Sequence, residues 1–483
     1  MTSPSPQPDA RAVTRSQGVL LGSHAVNLLI SVGITVVLGR VLEPGDFGFF
    51  ALISSLFALA SFAMDSGTGS MAVREISRDP SREKELLEGL LGFRRGLGWL
   101  IALLIFGWAM LEPSRGRAAV LVGAAFVVPF QAAGGLAPVF QRRQANEGPA
   151  LITLGGLLLV LLGVMAMAMT QAAGHLFSWL VVTREFLVSR VFRWLAIRRL
   201  GYRPRPGLRG RKLGPFFRMA ALYGLAILSY QLCFHVDVFM VRALCGEEAL
   251  GAYAAAFRPM NPMLRVAGLL MLPMLPVIAR TALSNRERFV GQVVRSSEVL
   301  VGLGGLGAVA AIMLAEDLLQ LLYGDKYVSG PLSTVEALRW LAVALAVVFS
   351  STAFTTALLA AGRERWLCIL GLCGLAVNVA GNLVFLPTHG FTAAAATTAA
   401  TEALLASGAI VCLVRTAPVS GIRPIFVLTL APAAILGFVL YWLPGPSPWR
   451  IVAGTLLGLA GLAFLVLGPP GRRLRRTLAD LAS

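Results

Sequence analysis

The sequence predicts an all-α polytopic membrane protein. Three observations lead there: its composition, the side on which its arginines fall, and an internal repeat. Of 483 residues, 57% are hydrophobic and only 14% are charged, with a mean hydropathy of +0.75. Soluble domains carry roughly 25% charged residues, so this chain lacks the charged shell that a large water-soluble core requires. A helix needs about 20 apolar residues to cross the hydrocarbon layer. Runs of that kind, separated by turn residues, occur at about 17–38, 47–66, 90–110, 118–138, 149–169, 174–196 and 215–240. Seven more follow at about 249–278, 292–321, 335–361, 365–386, 390–414, 424–443 and 450–468, which makes about fourteen transmembrane helices. The polar start "MTSPSPQPDARAVTRSQG" precedes an apolar run without a small-residue cleavage site, so the first run reads as a retained span.

Charge tests that count, because cytoplasmic loops of membrane proteins accumulate Lys and Arg. With the N-terminus inside, the inner segments hold 28 of the 42 basic residues and the outer segments hold 6, the remaining 8 falling within spans. The number of spans is therefore even, and both ends are expected in the cytoplasm. The net charge of +18 would suggest nucleic acid in a soluble protein. Here the basic segment "RRLGYRPRPGLRGRK" is an inside loop facing anionic lipid, and no nucleic-acid partner is expected. That segment divides the chain into a cytoplasmic tail at 1–16, a six-helix part at 17–196, a basic linker at 197–214 and a second six-helix part at 215–415. An additional helix pair at 416–470 and a basic tail at 471–483 complete it.

The two parts repeat. "LGRVLEPGDFGFFALISSL" from Leu38 aligns with "MVRALCGEEALGAYAAAFRP" from Met240, pairing Arg40 with Arg242, Leu42 with Leu244, Gly48 with Gly251, Phe50 with Tyr253 and Ala51 with Ala254. Both copies form the turn between the first two spans of their part. Homologous halves of this kind are the usual construction of an alternating-access transporter.

Enzyme signatures are lacking, and the protein is not expected to be an enzyme. "GLGGLG" at 302–307 has the GxGxxG spacing but sits within an apolar span, without the strand and acidic residue of a nucleotide site. No GxxxxGK[ST] loop is present, so ATP is not the driving force and the candidates are a proton or sodium gradient or the gradient of the cargo itself. His24, His175, His235 and His389 are widely separated, and the five cysteines have no metal-ligand spacing. No cofactor and no metal are expected.

Charge within a span costs about 2.5 to 3.5 kcal/mol per residue on insertion scales, so the exceptions are candidate sites. Arg184, Arg258 and Arg265 are candidate cargo contacts, because a guanidinium fork can hold two phosphate oxygens. Candidates for coupling or gating are Asp237, His235, Asp65, Glu185 and Glu402. Asp237 and His235, two apart on a helix, point about 200° from one another and cannot form one compact ligand set. Asp237 is expected to contribute more than His235, with a helix-end ion pair near Arg242 as its structural alternative. Arg184 and Glu185 point about 100° apart, so neither is assigned to the other. Asn27 and Asn378 are assigned to packing. Pro259, Pro262, Pro273 and Pro276 each lack a helix-bond donor and make the eighth span a candidate bent gate.

These residues carry a resemblance. "VVLGRVLEPGDFGFFALISSLFALASFAMDSGTGSMAVREISR", "HVDVFMVRALCGEEALGAYAAAFRP", "MLPMLPVIAR" and the basic inner loops resemble the bacterial polysaccharide and O-antigen flippases, relatives of multidrug extrusion antiporters and the lipid II flippase. The family pattern of an acid, a Gly and an "REI" element falls on Asp65, Gly67, Arg74, Glu75 and Ile76, and its Asp with a Gly-x-Tyr falls on Asp237, Gly251 and Tyr253. His235 has no counterpart in that pattern. The resemblance implies two six-helix lobes in a V-shaped arrangement around a cationic cavity, plus a C-terminal helix pair, in the bacterial cytoplasmic membrane. It implies flipping of a polyprenyl-pyrophosphate-linked oligosaccharide to the outer leaflet by a monomeric transport unit. Polysaccharide polymerase, chain-length regulator and glycosyltransferases are the implied partners. Two other readings stay open: a cation-coupled multidrug antiporter, which would favour acids and aromatics over arginines, and a non-transporting membrane component of a glycan assembly complex.

Overall fold

A computed structural model of the chain describes residues 10–142, 145–207, 213–272, 274–415, 423–442, 448–469 and 472. Helices α1 (Ala10–Val41), α2 (Pro44–Asp65), α3 (Thr68–Arg78), α4 (Glu83–Leu111), α5 (Arg115–Val127), α6 (Ala137–Arg142), α7 (Glu147–Met169) and α8 (Phe177–Leu200) form the first series. The second series begins with α9 (Leu213–Cys245), α10 (Glu247–Met271), α11 (Met274–Ser284), α12 (Arg286–Met313) and α13 (Ala315–Tyr323). It continues with α14 (Val335–Ala360), α15 (Glu364–His389) and α16 (Thr392–Val414), and the chain ends with α17 (Arg423–Trp442) and α18 (Pro448–Leu467). No strand occurs among the described residues, as expected where lipid leaves backbone groups only internal partners.

A helix lies at each of the fourteen predicted positions. By length and composition, nine helices among the described residues can cross a membrane, or ten if bent α10–α11 counts as one span. Shorter apolar stretches within α1, α17 and α18 add three. Three predicted spans differ in detail. The run 118–138 is interrupted by a 3-10 segment at Val128–Leu136, which Pro129 opens without needing a donor. The run 292–321 ends at Met313, and α13 follows as a separate amphipathic helix with Glu316 and Asp317 in its first turn. The run 249–278 breaks after Met271 and its direction changes by 48°. α10 continues through Pro259 and Pro262, Pro276 sits in the first turn of α11, where a missing donor costs nothing, and Pro273 lies outside the described residues.

The chain forms two compact units, one of residues up to Leu42 with Phe49–Leu228, the other of Glu43–Gly48 with Ser229 onward. The repeat extends through the helix lengths. α2 is followed by an 11-residue helix, α3, and α10 by an 11-residue helix, α11. After α3, Asp79 accepts from Ser81 N at the start of a 3-10 turn, and after α11, Asn285 caps α12 by accepting from Arg288 N.

In the first unit the core gathers Ala72 and Ile76 of α3, Leu86 and Leu90 of α4, Phe140 of α6 and Ala196 of α8. In the second, small residues set the packing, because helices in lipid associate by close contact and not by a hydrophobic difference. Ala337, Ala342, Ala353 and Ala357 of α14 and Ala394, Ala395 and Ala409 of α16 are all buried, and these two helices pack along their length. α17 packs on α12 through Leu306, Leu436 and Leu440, and α18 adds Leu457 to the same cluster.

Candidate functional site

The turn into α10 brings the repeat-related glycines together within the second unit. A Cβ on Gly48 would stand 2.7 Å from Glu247 O, and a Cβ on Gly251 would overlap Pro44 O. The pairs 48 with 247 and 251 with 44 are reciprocal, so equivalent residues of the two repeats make equivalent contacts. Beyond this contact lies an aromatic group. Phe47 is 6.2 Å from Tyr323 and 6.4 Å from Tyr327 by ring centroid, and the Arg258 guanidinium stands 5.4 Å over Phe47. Tyr323 Oη donates to Ala255 O at 3.1 Å.

Two residues beyond Gly251 on α10, Tyr253 is fully buried and faces Asp237 of α9. Its hydroxyl donates to Asp237 Oδ2 at 3.0 Å. Asn382 of α15 donates from Nδ2 to Asp237 Oδ1 at 2.7 Å, and Thr398 of α16 donates to Oδ2 at 2.6 Å. Asn378, one turn from Asn382 on the same face, accepts from Asn382 Nδ2 at 3.1 Å. Asp237, Tyr253, Asn378 and Asn382 are 0% exposed and Thr398 3%. Four helices thus enclose one carboxylate and satisfy it with three donors, as a buried charge demands. The set also holds spare capacity: Asn382 Oδ1 has no hydrogen-bond partner among the described residues.

Packing alone does not call for this polarity. In α7, which follows the same connection in the first repeat, "EGPALITLGGLLLVLLGVMAMAM" holds Thr153 as its one polar side chain beyond the first turn. α1, the repeat counterpart of α9, has Thr35 where α9 has Asp237, and its hydroxyl donates to Ser31 O at 2.8 Å.

The other predicted residues fall elsewhere. His235 is buried on α9 but is not among the donors to Asp237. Arg242 pairs with Glu247 at 2.8 Å, so the helix-end alternative for Asp237 has its partner already engaged. Glu402 is 1% exposed, one turn along α16 from Thr398, and its Oε1 has no hydrogen-bond partner among the described residues. In the first unit Arg184 and Glu185 bond to one another, and Gln131 Nε2 donates to the other carboxylate oxygen of Glu185 at 2.9 Å. The long arginine side chain spans the angle between neighbouring positions. Asp65 pairs with Arg94, which is 5% exposed. Glycines make room for that guanidinium: a Cβ on Gly134 would lie 3.2 Å from Arg94 Nη1, and one on Gly135 would lie 3.2 Å from Cδ. The Arg265 side chain lies outside the described residues.

Of the Asp237 group, Asn382 and Thr398 were not singled out in the sequence, and Asn378 stands in the group as well as in the packing. The available signal was two amides four apart in an otherwise apolar span. Among the described residues, no group of three or more His, Cys, Asp or Glu could hold a metal ion.

A family model described as polysaccharide biosynthesis protein matches residues 37–330. No curated protein sequence matches. The fold is similar to a lipid II flippase, MurJ, in an inward closed conformation, with 13% identity and a TM-score of 0.73 over 94% of this chain and 99% of that one. It is similar to an inward-facing multidrug resistance MATE transporter, with 15% identity and a TM-score of 0.56 over 87% and 96%. A Vibrio cholerae MATE transporter matches with 12% identity and a TM-score of 0.55 over 85% and 99%. The chain is therefore a multi-pass membrane protein of the polysaccharide biosynthesis family, with the fold shared by MurJ and the MATE transporters.

Proposed function

We propose that the protein carries a polyprenyl-pyrophosphate-linked oligosaccharide from the inner to the outer leaflet of the bacterial cytoplasmic membrane by alternating access. In this reading a monovalent cation or proton bound at Asp237 drives the change. The observation that carries the coupling is the buried carboxylate with Asn378, Asn382 and Thr398 around it, in the second repeat and not in the first. Hard cations take oxygen ligands, and the carboxylate, two amide oxygens and a hydroxyl would supply them once the Asn382 amide turned its Oδ1 inward. Discharging Asp237 would release Tyr253, Asn382 and Thr398 from a common anchor, which is how a local charge event biases a packed element. Arg184, Arg258 and Arg265 are the proposed pyrophosphate contacts. Arg258 suits this by its place over an aromatic ring beside the turn of α10.

The test is leaflet-to-leaflet movement of lipid-linked oligosaccharide in proteoliposomes under an imposed sodium or proton gradient. Gradient-stimulated movement is expected from the native protein and not from Asp237→Asn at matched amount. Full stimulation in Asp237→Asn removes the coupling role. Movement of cationic drugs instead of glycolipid, with intact surface glycan on gene deletion, would favour the antiporter reading.

A further inference from the structure

The first unit carries a group of arginines that the transport reading does not use. α4 and α8 both pack against the 3-10 segment Val128–Leu136, and the chain after α8 is fastened along α4. Gly207 N donates to Glu88 O at 3.2 Å, Arg205 N donates to Glu88 Oε1 at 3.1 Å, and Lys84 stands 5.6 Å over the Tyr202 ring. A Cβ on Gly92 would lie 2.9 Å from Gly207 N, so backbone meets backbone there. The fastening leaves Arg203 beside the face of α4 that carries Arg95. On α8, Arg190 is held over Phe130 at 5.8 Å and Phe186 at 6.0 Å, and Arg193 follows one turn on.

Four guanidinium groups from three segments are thereby brought within electrostatic range: Arg95, Arg190 and Arg203 all act on Arg193 with like charge. The carboxylate on this stretch of α4, Glu88, is taken up by backbone. The charged groups that act on Arg193 are all arginines, and like charges so gathered are relieved when an anion joins them. The surroundings say what kind. Trp99 and Leu100, one turn from Arg95, are each 54% exposed, and Trp194 is 49% exposed with Arg198 4.0 Å over its ring. Exposed Trp beside Arg on a membrane helix marks the interface between headgroups and acyl chains.

We propose that Arg95, Arg190, Arg193 and Arg203 form a binding site for the phosphate headgroup of an anionic phospholipid, whose acyl chains lie along the exposed apolar faces of α4 and α8. The site lies at the end of the first unit where its arginine-rich connections gather. It uses none of the proposed cargo contacts and holds whether or not that reading does.

The experiment uses the full-length protein in nanodiscs of phosphatidylcholine with or without phosphatidylglycerol. Lipid adducts are read by native mass spectrometry and the unfolding temperature by tryptophan fluorescence. Phosphatidylglycerol is expected to be retained by the native protein and to raise its unfolding temperature. Arg95→Gln with Arg193→Gln should lower that retention by about 30-fold, from about 1 kcal/mol for each of the two arginines near a charged surface. The same positions changed to Lys should keep most of it, and this charge-preserving variant separates loss of the site from loss of the fold. Arg280→Gln with Arg288→Gln, exposed on the second unit, should have no effect. Equal retention in the Arg95→Gln and Arg193→Gln protein, or equal loss in the second-unit control, overturns the proposal. So does displacement of phosphatidylglycerol by a polyprenyl pyrophosphate at equimolar amount, which would give the site to the cargo.

Discussion

Asp65 and Arg94 show how burial sets the direction of a mutational effect. The arginine side chain is 7% exposed and the aspartate side chain 37%. Removing Arg94 leaves a carboxylate that can reach water, whereas removing Asp65 leaves a guanidinium sealed among Gly69, Gly134 and Gly135. Breaking a buried pair from the exposed side is the costlier change, on the order of 3 kcal/mol. Asp65→Ala is therefore expected to lower the unfolding temperature in detergent more than Arg94→Met does, and the reverse order would show that the pair is hydrated. At the Asp237 group the expectation is one of function. Asn382→Leu removes a donor to the carboxylate and one amide of the set, at a cost to stability of about 1 to 3 kcal/mol. It should abolish cation dependence while leaving the protein in the membrane. Cation-dependent transport in Asn382→Leu would exclude that amide as a ligand.

At the scale of the element, two glycines of one helix have opposite roles. Gly251 and Gly268 both lie in α10, yet a Cβ on Gly251 would overlap the Pro44 carbonyl, while one on Gly268 would meet nothing within 4 Å. Gly251→Ala should destabilise by about 1 to 3 kcal/mol through overpacking. Gly268→Ala should be neutral or stabilise by up to about 1 kcal/mol, the helix-propensity gain. Melting of the two variants side by side checks this. Gly224 of α9 resembles Gly251: a Cβ there would overlap the Ser66 carbonyl, at the turn where Ser66 has φ 39° and Gly67 φ 67°. None of this was legible in the sequence beyond the pairing of Gly48 with Gly251, because a glycine's contacts belong to whichever backbone approaches it.

For the whole molecule, the helices at the predicted positions were readable because lipid permits few solutions and hydropathy reports them, and nine or ten of those described are long and apolar enough to cross a membrane. The bend of the eighth span was readable from its prolines but its position was not, since Pro259 and Pro262 lie inside a continuous helix while the direction changes near Leu272. Asp237 stood out as a charge among apolar residues. Its partners did not, because Asn382 and Thr398 come from helices about 150 residues away, and polar residues that meet across helices leave no local pattern. Orientation is a prediction at this scale. Ser81 and Ser114 stand before and after α4 and are both exposed. In whole cells an impermeant thiol reagent should label Ser114→Cys and spare Ser81→Cys until the membrane is opened, against a background with the five native cysteines replaced. Labelling in the opposite order would invert the proposed topology.

The reciprocal contact of Gly48 and Gly251 has an evolutionary consequence. A surface that meets its own equivalent is self-complementary, the condition for a closed pair of identical subunits. A six-helix ancestor bearing one such turn could have closed on a second copy through it before the two genes were joined. Once joined, each half was free to diverge, and α15 carries amides that α7 lacks. The glycines had no such freedom: each is confined by the backbone of the other repeat, so a larger side chain at one would have to wait for a shift in both.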